Sequence, residues 1–173
     1  MSKRRWVGSL FALVVASFAF SVIAVAPPSF TDQDIGNGYV NPNDRVVVQK
    51  IKVVDSSSII SSVWIRNLGE ADETDITKIV IDNDDQPFTD PKGEYTTLTG
   101  LRSGITVPLG YAVPSGTTYL WIGVKIASTA HNARNIQLQV RFYSGSYTSD
   151  LITDGSPETI FRGGFEKKVD ASP

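Results

Sequence analysis

The chain contains 173 residues, with 16 basic and 18 acidic side chains, a formal net charge of −2 and no cysteine. Nucleic-acid-binding proteins draw most of their affinity from a basic excess, so this balance argues against a nucleic-acid partner. Without cysteine there is neither a disulfide framework nor a thiol nucleophile. Core packing and backbone hydrogen bonding must therefore stabilise the fold.

The N-terminus has the pattern of an export signal. Three basic residues at positions 3–5 precede an apolar run over 7–26, which Pro27 and Pro28 follow. A secretory signal peptide has the same order of a basic segment, an apolar segment and small residues at the cleavage site. A run of this length is also sufficient for a helix that crosses a membrane. Segment 1–26 is thus predicted to be a cleaved signal peptide or a retained apolar helix.

Small residues offer three cleavage positions near the end of that run, after Ser21, Ala24 or Ala26. Cleavage after Ala26 would place Pro27 on the leaving side of the bond, which signal peptidases disfavour, so Ser21 and Ala24 are preferred. We expect an extracellular or cell-surface location. Contact with a membrane would require the uncleaved N-terminal segment.

Residues 27–44 are rich in Pro, Gly, Asn and Asp, which favour turns and loops. Four isolated apolar side chains interrupt them, at Phe30, Ile35, Tyr39 and Val40. The composition predicts a loop or an extended N-terminal arm.

From Arg45 onward the chain is dense in β-branched residues, which favour strands, and turn signals separate the runs. No segment here has the 3.6-residue apolar period of an amphipathic helix. The predicted strands are 45–54, 59–66, 76–81, 95–98, 105–109, 117–127, 136–142, 151–152 and 159–161. They predict an all-β fold: a single β-sandwich of jelly-roll or immunoglobulin-like topology over residues 45–165, with a polar tail at 166–173.

The run at 117–127 has the clearest strand alternation. Leu120, Ile122 and Val124 point to one face, which is predicted to be core, while Tyr119 and Trp121 point to the other. Aromatic residues are common both in packed faces and at interfaces. Tyr119 and Trp121 are therefore either a second packed face or surface aromatics that bind a neighbouring subunit or a carbohydrate.

Nothing in the sequence specifies an enzyme active site. The single histidine, His131, lies in a polar loop, where we expect a solvated side chain, and alone it provides neither a catalytic triad nor a metal site. The Gly-x-Ser-x-Gly element and the glycine-rich phosphate-binding motifs do not occur. We therefore expect that the protein is not an enzyme and has no catalytic or cofactor-binding residues.

Two acidic loops flank the predicted strand 76–81, one at 70–75 and one at 82–90. Ca²⁺ prefers six to eight oxygen ligands, which loop carboxylates and carbonyls can provide. Asp82, Asp84, Asp85 and Asp90 are thus weak calcium candidates, although the EF-hand spacing is absent. The simpler interpretation of both loops is solvated turns, with no metal and no cofactor.

Three segments resemble a known group of fibre proteins. They are NDRVVVQK at 43–50, SVWIRNLG at 62–69, which ends in an Asn-x-Gly turn, and ITKIVI at 76–81. With the N-terminal signal and the segment VPSGTTYLWI at 113–122, the pattern resembles the TasA/camelysin group of biofilm-matrix fibre proteins. It is most similar to archaeal bundling pilins of that kind.

In that group the signal peptide is removed, and the freed N-terminal segment is donated as a strand to the adjacent subunit. The resemblance implies the same role for the arm at 27–44. Because proline cannot donate to a ladder, pairing at Pro27 and Pro28 would be partial, or would be confined to residues around 29–39. Strand addition in a head-to-tail contact that does not close builds a filament. We therefore predict a homopolymeric extracellular filament, a pilus or biofilm matrix fibre able to form bundles, with Phe30, Ile35, Tyr39 and Val40 as polymerisation contacts.

Two other functions stay open on the sequence. In a type IV pilin or archaeal flagellin-like subunit, the apolar helix would be retained in the filament core. In a membrane-anchored adhesin or carbohydrate-binding module, the uncleaved N-terminus would hold a single domain at the cell surface. The position of the mature N-terminus separates these alternatives.

Overall fold

The computed structural model describes residues 26–55 and 57–162. The predicted signal segment, its cleavage positions Ser21 and Ala24, and the polar tail lie outside these residues. In the described part of the chain all regular structure is β, and no helix there is long and apolar enough to cross a membrane. The strands are β1 (Ser29–Asp32), β2 (Tyr39–Val40), β3 (Arg45–Asp55), β4 (Ile59–Asn67), β5 (Ile76–Asp82), β6 (Gly93–Tyr95), β7 (Ile105–Ala112), β8 (Gly116–Ile126), β9 (Asn135–Ile136), β10 (Leu138–Ser144), β11 (Tyr147–Thr148), β12 (Ile152–Thr153) and β13 (Glu158–Ile160).

Two antiparallel sheets form the β-sandwich that the sequence predicts. The first has the strand order β1-β3-β8-β5-β6. The second has the order β11-β10-β4-β7, and β12 pairs with the same β10. A small third sheet, β2-β13-β9, contains a parallel pair between β2 and β13.

The core follows directly from the two-residue period of the long strands. On β8 the predicted apolar face of Leu120, Ile122 and Val124 is fully buried, which confirms that assignment. On β10 the alternate residues Val140 and Phe142 are buried in the same hydrophobic cluster. Each such side chain stabilises the fold by about 1.5–3 kcal/mol when it leaves water.

Two local predictions differ from the structure. The strand predicted at 95–98 ends at Tyr95, because Leu98 lies in a turn and accepts a hydrogen bond from the amide of Leu101 at 3.0 Å. The arm at 27–44 is not only loop, since it contains β1 and β2. Both strands are short, so their alternation is too brief to read from the sequence.

Candidate functional site

The N-terminal arm adds a strand to the edge of the first sheet. In the β1–β3 register, Phe30 is opposite Val53 and Asp32 is opposite Ile51. Val53 and Ile51 are fully buried, and directly paired residues project from the same face of a sheet. Phe30 and Asp32 therefore project between the two sheets, whereas Thr31 projects outward.

Phe30 joins the arm to the opposite sheet. Its ring stacks on that of the fully buried Phe142 of β10, with 4.5 Å between centroids and 7° between planes. The ring of Tyr147 lies on the same side, with its centroid 6.5 Å from that of Phe30. An aromatic pair contributes about 0.5–1.5 kcal/mol beyond the area it buries. The ring of Phe30 thus packs between the two sheets, against the core.

β1 covers only the second half of the β3 edge. Its ladder reaches residues 51–54, and the amide of Gln33 extends it by donating to the carbonyl oxygen of Lys50 at 2.8 Å. Among the described residues, no strand pairs with this side of β3 before Lys50. The β3–β8 register shifts between Val47 and Gln49, an irregularity of the kind that makes an open edge a poor template for pairing.

The arm is attached a second time through β2. Val40 is buried and pairs with Ile160 of β13, and its carbonyl oxygen accepts a hydrogen bond from the amide of Phe161 at 2.8 Å. Tyr39 is 55% exposed, and its ring meets that of Phe161 edge-on at 5.8 Å. The second half of the arm is therefore held at a different sheet from the first.

The four predicted polymerisation contacts do not form one cluster. Tyr39 and Val40 meet at β13, Phe30 lies at the edge of the first sheet, and Ile35 is half-buried in the loop between them. All four belong to the same copy in this structure. Their role between copies stays a prediction.

Carboxylates collect where β1 ends. The Asp32 carboxylate accepts a hydrogen bond from Gln49 Nε2 at 3.0 Å and one from the amide of Gly155. The carboxyl carbon of Asp34 lies 3.5 Å from the place that a Cβ on Gly155 would occupy. Both arm carboxylates therefore lie beside Gly155, in the segment that follows β12. A third acid, Asp154, precedes this glycine.

Asp154 is the buried member of this cluster, with 1% of its surface exposed. Its Oδ1 accepts a hydrogen bond from the amide of Ser156 at 3.3 Å, while its Oδ2 has no hydrogen-bond partner among the described residues. Burial raises the pKa of Asp154 to about 7, and the charges of Asp32 and Asp34 add to the increase. Burial also raises the pKa of Asp32, against the hydrogen bond from Gln49.

The calcium candidates are spread over a loop that faces solvent. Asp84, Asp85 and Asp90 are exposed, whereas Asp82 is buried and lies 3.5 Å from Lys92 Nζ. The loop lines an open pocket of about 400 Å³. Over 26–55 and 57–162, no group of three or more acidic, histidine or cysteine side chains has the arrangement of a metal site. The structure adds no support to calcium binding there.

The other acidic loop is part of the fold rather than a solvated turn. Asp75 is fully buried, and its Oδ1 accepts a hydrogen bond from the amide of His131 and contacts the His131 ring, both at 2.7 Å. Arg134 Nη1 donates to both Asp72 and Asp75. Hydrogen bonds from Thr74, together with Arg134, lower the pKa of Asp72 to about 2. The solvated interpretation was wrong for Asp75, because contacts from a distant loop bury its carboxylate, whereas the side chain of His131 is exposed.

The Asn-x-Gly turn that carried the family resemblance has a definite structural role. Asn67 Nδ2 donates to the carbonyl oxygen of Ala71 at 2.7 Å, and its Oδ1 accepts from the amides of Gln137 and Gly69. A Cβ on Gly69 would lie 2.1 Å from the carbonyl oxygen of Asn135. This close approach explains why the last residue of the turn, Gly69, is a glycine.

Tyr119 and Trp121 lie on the outer face of the first sheet, both partly exposed. Lys50 crosses this pair, with its Nζ 4.5 Å from the ring centroid of Tyr119 and 4.2 Å from that of Trp121. A cation over an aromatic face contributes about 0.5–1 kcal/mol at an exposed site. The two rings and Lys50 therefore form an aromatic, basic surface rather than a second core.

The sequence interpretation missed the role of Asp32, Asp154 and Phe142 at the arm. Phe30 and Asp32 are two residues apart, which is a strand signal, but one such interval is too short to identify a strand. Asp154 follows the predicted strand 151–152 and resembles any turn acid. Only the pairing of β1 with β3 shows that these residues meet.

Comparisons with known proteins find no matching protein family and no matching curated protein. Solved structures with similar folds include a family 123 glycoside hydrolase from Clostridium perfringens, with a TM-score of 0.42 and 10% identity, over 79% of this chain and 27% of that one. The PapD-like domain 7 of human CEP192 has a TM-score of 0.37 and 7% identity, over 91% and 99%. The enterotoxigenic E. coli adhesin CfaE has a TM-score of 0.35 and 12% identity, over 79% and 49%. Similarity at this level carries no argument about function.

Proposed function

We propose that this chain is the structural subunit of an extracellular filament in which β1 of one copy is donated to the sheet edge of the next copy. One observation carries the proposal: β1 is an edge strand at the N-terminal end of the described chain, and it inserts Phe30 between the sheets. An identical segment from a second copy would make the same ladder and the same ring stack. After the exchange, β1 of the neighbouring copy would make the same contacts that β1 makes within its own domain.

The route of the chain supports such an exchange. Loop residues 33–38 separate β1 from β2, so β1 is able to leave while Val40 stays paired with Ile160. Exchange of an identical element between copies is a low-cost route to association, and a head-to-tail contact that does not close extends into a fibre. Strand addition also covers the open edge that would otherwise remain. The donated unit is thus β1 alone, shorter than the whole arm.

The remaining parts of the proposal follow from the same contact. The partner is another copy of the chain, the filament lies outside the cell or on its surface, and no catalysis is involved. Removal of the N-terminal segment by a signal peptidase would free β1 for donation. Mass spectrometry of the extracellular protein tests this step: a mature N-terminus before Ser29, between residues 22 and 27, is expected, and an intact Met1 would contradict it.

A pair of engineered cysteines tests donation directly. Thr31 and Lys52 are directly paired, and the natural chain contains no cysteine to interfere. Directly opposite residues in an antiparallel ladder have Cα atoms about 4.5–5.5 Å apart, within disulfide range. In the double variant Thr31→Cys and Lys52→Cys, oxidation of the monomer should lock β1 in its own domain. No filaments should then form until a reductant is added.

Oxidation after assembly should give the opposite result. If β1 is donated, the same two cysteines join different copies, and denaturing electrophoresis should show a covalent ladder of multimers. The matched control is Thr31→Cys alone, which can form at most dimers. Oxidised filaments that run only as monomers would show that β1 stays in its own domain and would refute donation.

A surface module that binds carbohydrate is the second candidate, favoured by the partly exposed pair Tyr119 and Trp121. Polysaccharide rings stack on such aromatic surfaces, although Lys50 would have to move aside. Sedimentation with insoluble polysaccharides tests it. Trp121→Ala should abolish co-sedimentation. The control Tyr111→Ala, in the other sheet, should leave it unchanged. If the wild-type protein does not bind any of the polysaccharides, this candidate function is refuted.

A further inference from the structure

Three acids, Asp32, Asp34 and Asp154, lie at the junction between β1 and the segment after β12. Asp32 projects between the sheets, and the buried Asp154 interacts electrostatically with both Asp32 and Asp34. Among the described residues neither Asp32 nor Asp154 forms an ion pair. Buried carboxylates are normally paired or hydrogen-bonded at both oxygens. Asp154 Oδ2, which has no partner in the part of the chain that the structure describes, therefore requires an explanation.

We propose that Asp154, Asp32 and Asp34 form a proton-controlled latch, which holds β1 in its own domain at acid pH and releases it as the carboxylates ionise. The inference rests on the proposed strand donation, because it names what makes β1 available. One proton shared within the cluster removes the repulsion between arm and domain. When this proton is lost, two or three negative charges face one another across the contact between β1 and the segment after β12, which must open for β1 to leave.

Within residues 26–55 and 57–162, no basic side chain pairs with Asp154. From the arm, only the acids Asp32 and Asp34 face it. From β10 and the residue before it, Asp154 meets uncharged groups: the carbonyl oxygen of Leu138 accepts its amide hydrogen at 2.8 Å, and Gln137 Nε2 donates to its carbonyl oxygen at 3.0 Å. From β3, the uncharged side chain of Gln49 bonds to Asp32. Burial and the two arm acids therefore oppose ionisation of Asp154, and among the described residues only the hydrogen bond from the Ser156 amide favours it.

The direction of the pH effect follows from the protons bound in each state. With β1 docked, the pKa of Asp154 is about 7. With β1 released, the carboxyl group meets water, and its pKa returns towards about 3.9. Between these values the docked state holds more protons, so docking weakens as pH rises from about 4 to 7 and then levels off. One proton gives at most a tenfold change per pH unit.

Hydrogen exchange of single amides in the exported monomer measures this opening. The Gln33 amide, which donates to Lys50 across the end of the β1 ladder, reports β1 docking, and the Ile126 amide of β8 reports the rest of the domain. We expect the Gln33 protection factor, corrected for the intrinsic exchange rate, to fall up to about tenfold per unit between pH 5 and 7. The Ile126 protection factor should not follow this fall.

Variants separate the latch from general charge effects. Asp154→Asn should make Gln33 protection nearly independent of pH, whereas Asp150→Asn, an exposed neighbour with the same change in charge, should behave as the wild type. Should Asp154→Asn fail to fold, Asp34→Asn removes a charge that raises the pKa of Asp154, so the fall is expected to become smaller and to end at lower pH. A wild-type Gln33 amide whose protection does not change with pH, or a fall retained in Asp154→Asn, would overturn the latch.

The latch and the proposed function fail in different ways. Exchange is measured on monomers, and filaments are counted separately by electron microscopy at pH 5 and 7.5. Filaments at both pH values with constant Gln33 protection would refute the latch and leave donation intact. Falling protection without filaments at either pH would support the latch and refute donation.

Discussion

Phe30 and Phe142 stack ring on ring, although they belong to the N-terminal arm and to the centre of the second sheet. The contact joins the first edge strand of one sheet to a core strand of the other. Phe142 is fully buried, so the arm forms part of the core rather than an appendage. Loss of β1 would open the sandwich at this point, and a replacement strand would have to provide another aromatic ring.

Phe30→Ala should weaken docking of β1 and prevent filament growth. The change removes a ring stack and buried apolar surface, with an expected loss of about 2–4 kcal/mol. Urea unfolding of the monomer and electron microscopy of assembled protein measure the two effects. The control is Thr31→Ala on the outward face of the same strand, which should change neither by much. Normal filaments from Phe30→Ala would show that Phe30 is not an assembly contact.

The regular part of the fold is predictable from the sequence, since the long strands alternate under strong burial. The run at 117–127 is an example: its apolar face is buried and its aromatic face is partly exposed. The role of the arm is not predictable in this way. Pairing between Phe30 and Phe142 depends on a non-local register, and the four residues of β1 carry too little alternation to define a strand.

The acids show the same limit at the level of single residues. Asp75 and Asp84 look alike in the sequence, each within an acidic loop beside the same strand. Asp75 is buried because His131 and Arg134 bond to it, whereas Asp84 is exposed and bonds within its own turn. Burial of a carboxylate is decided by which loop packs against it, and composition does not contain that information.

Gly69→Ala should destabilise the fold severely. The new Cβ would lie 2.1 Å from the backbone oxygen of Asn135, and no side chain is there to move aside. We expect a loss of more than about 3 kcal/mol, in the range of severe single substitutions, measured by urea unfolding. The control is Gly100→Ala, where a Cβ meets nothing within 4 Å and only the positive φ of 83° opposes it. Equal losses at both glycines would contradict the close approach at Gly69.

Acid stability should depend on Arg134. Hydrogen bonds from Thr74 and Arg134 hold the pKa of Asp72 at about 2, and the bonds from His131 and Arg134 lower that of Asp75 despite its burial. Because both values lie below those of the unfolded chain, the stabilisation is present above about pH 4 and lost as pH falls towards 2.

Arg134→Ala should therefore reduce stability at pH 6 and flatten its decline below pH 4, as measured by thermal unfolding across that range. Arg102→Ala removes the same charge from an exposed turn and should leave the profile unchanged. A parallel, undiminished decline in Arg134→Ala would show that Arg134 does not account for the low pKa values.

A chain that lacks β1 should accept a strand and donate none. Deletion of residues 27–32 removes the ladder on β3 but keeps Val40 in its place beside Ile160, so the sandwich should fold with an open edge. Added to growing wild-type filaments, this variant should stop elongation, because each end that receives it can no longer extend. A synthetic peptide of residues 27–36 should fill its edge, measurable by fluorescence anisotropy. The same peptide with Phe30→Ala should bind about tenfold more weakly, since the lost ring stack is worth up to about 1.5 kcal/mol. If both peptides bound equally, or if the truncated chain elongated filaments as the wild type does, the edge of β3 would not be the acceptor.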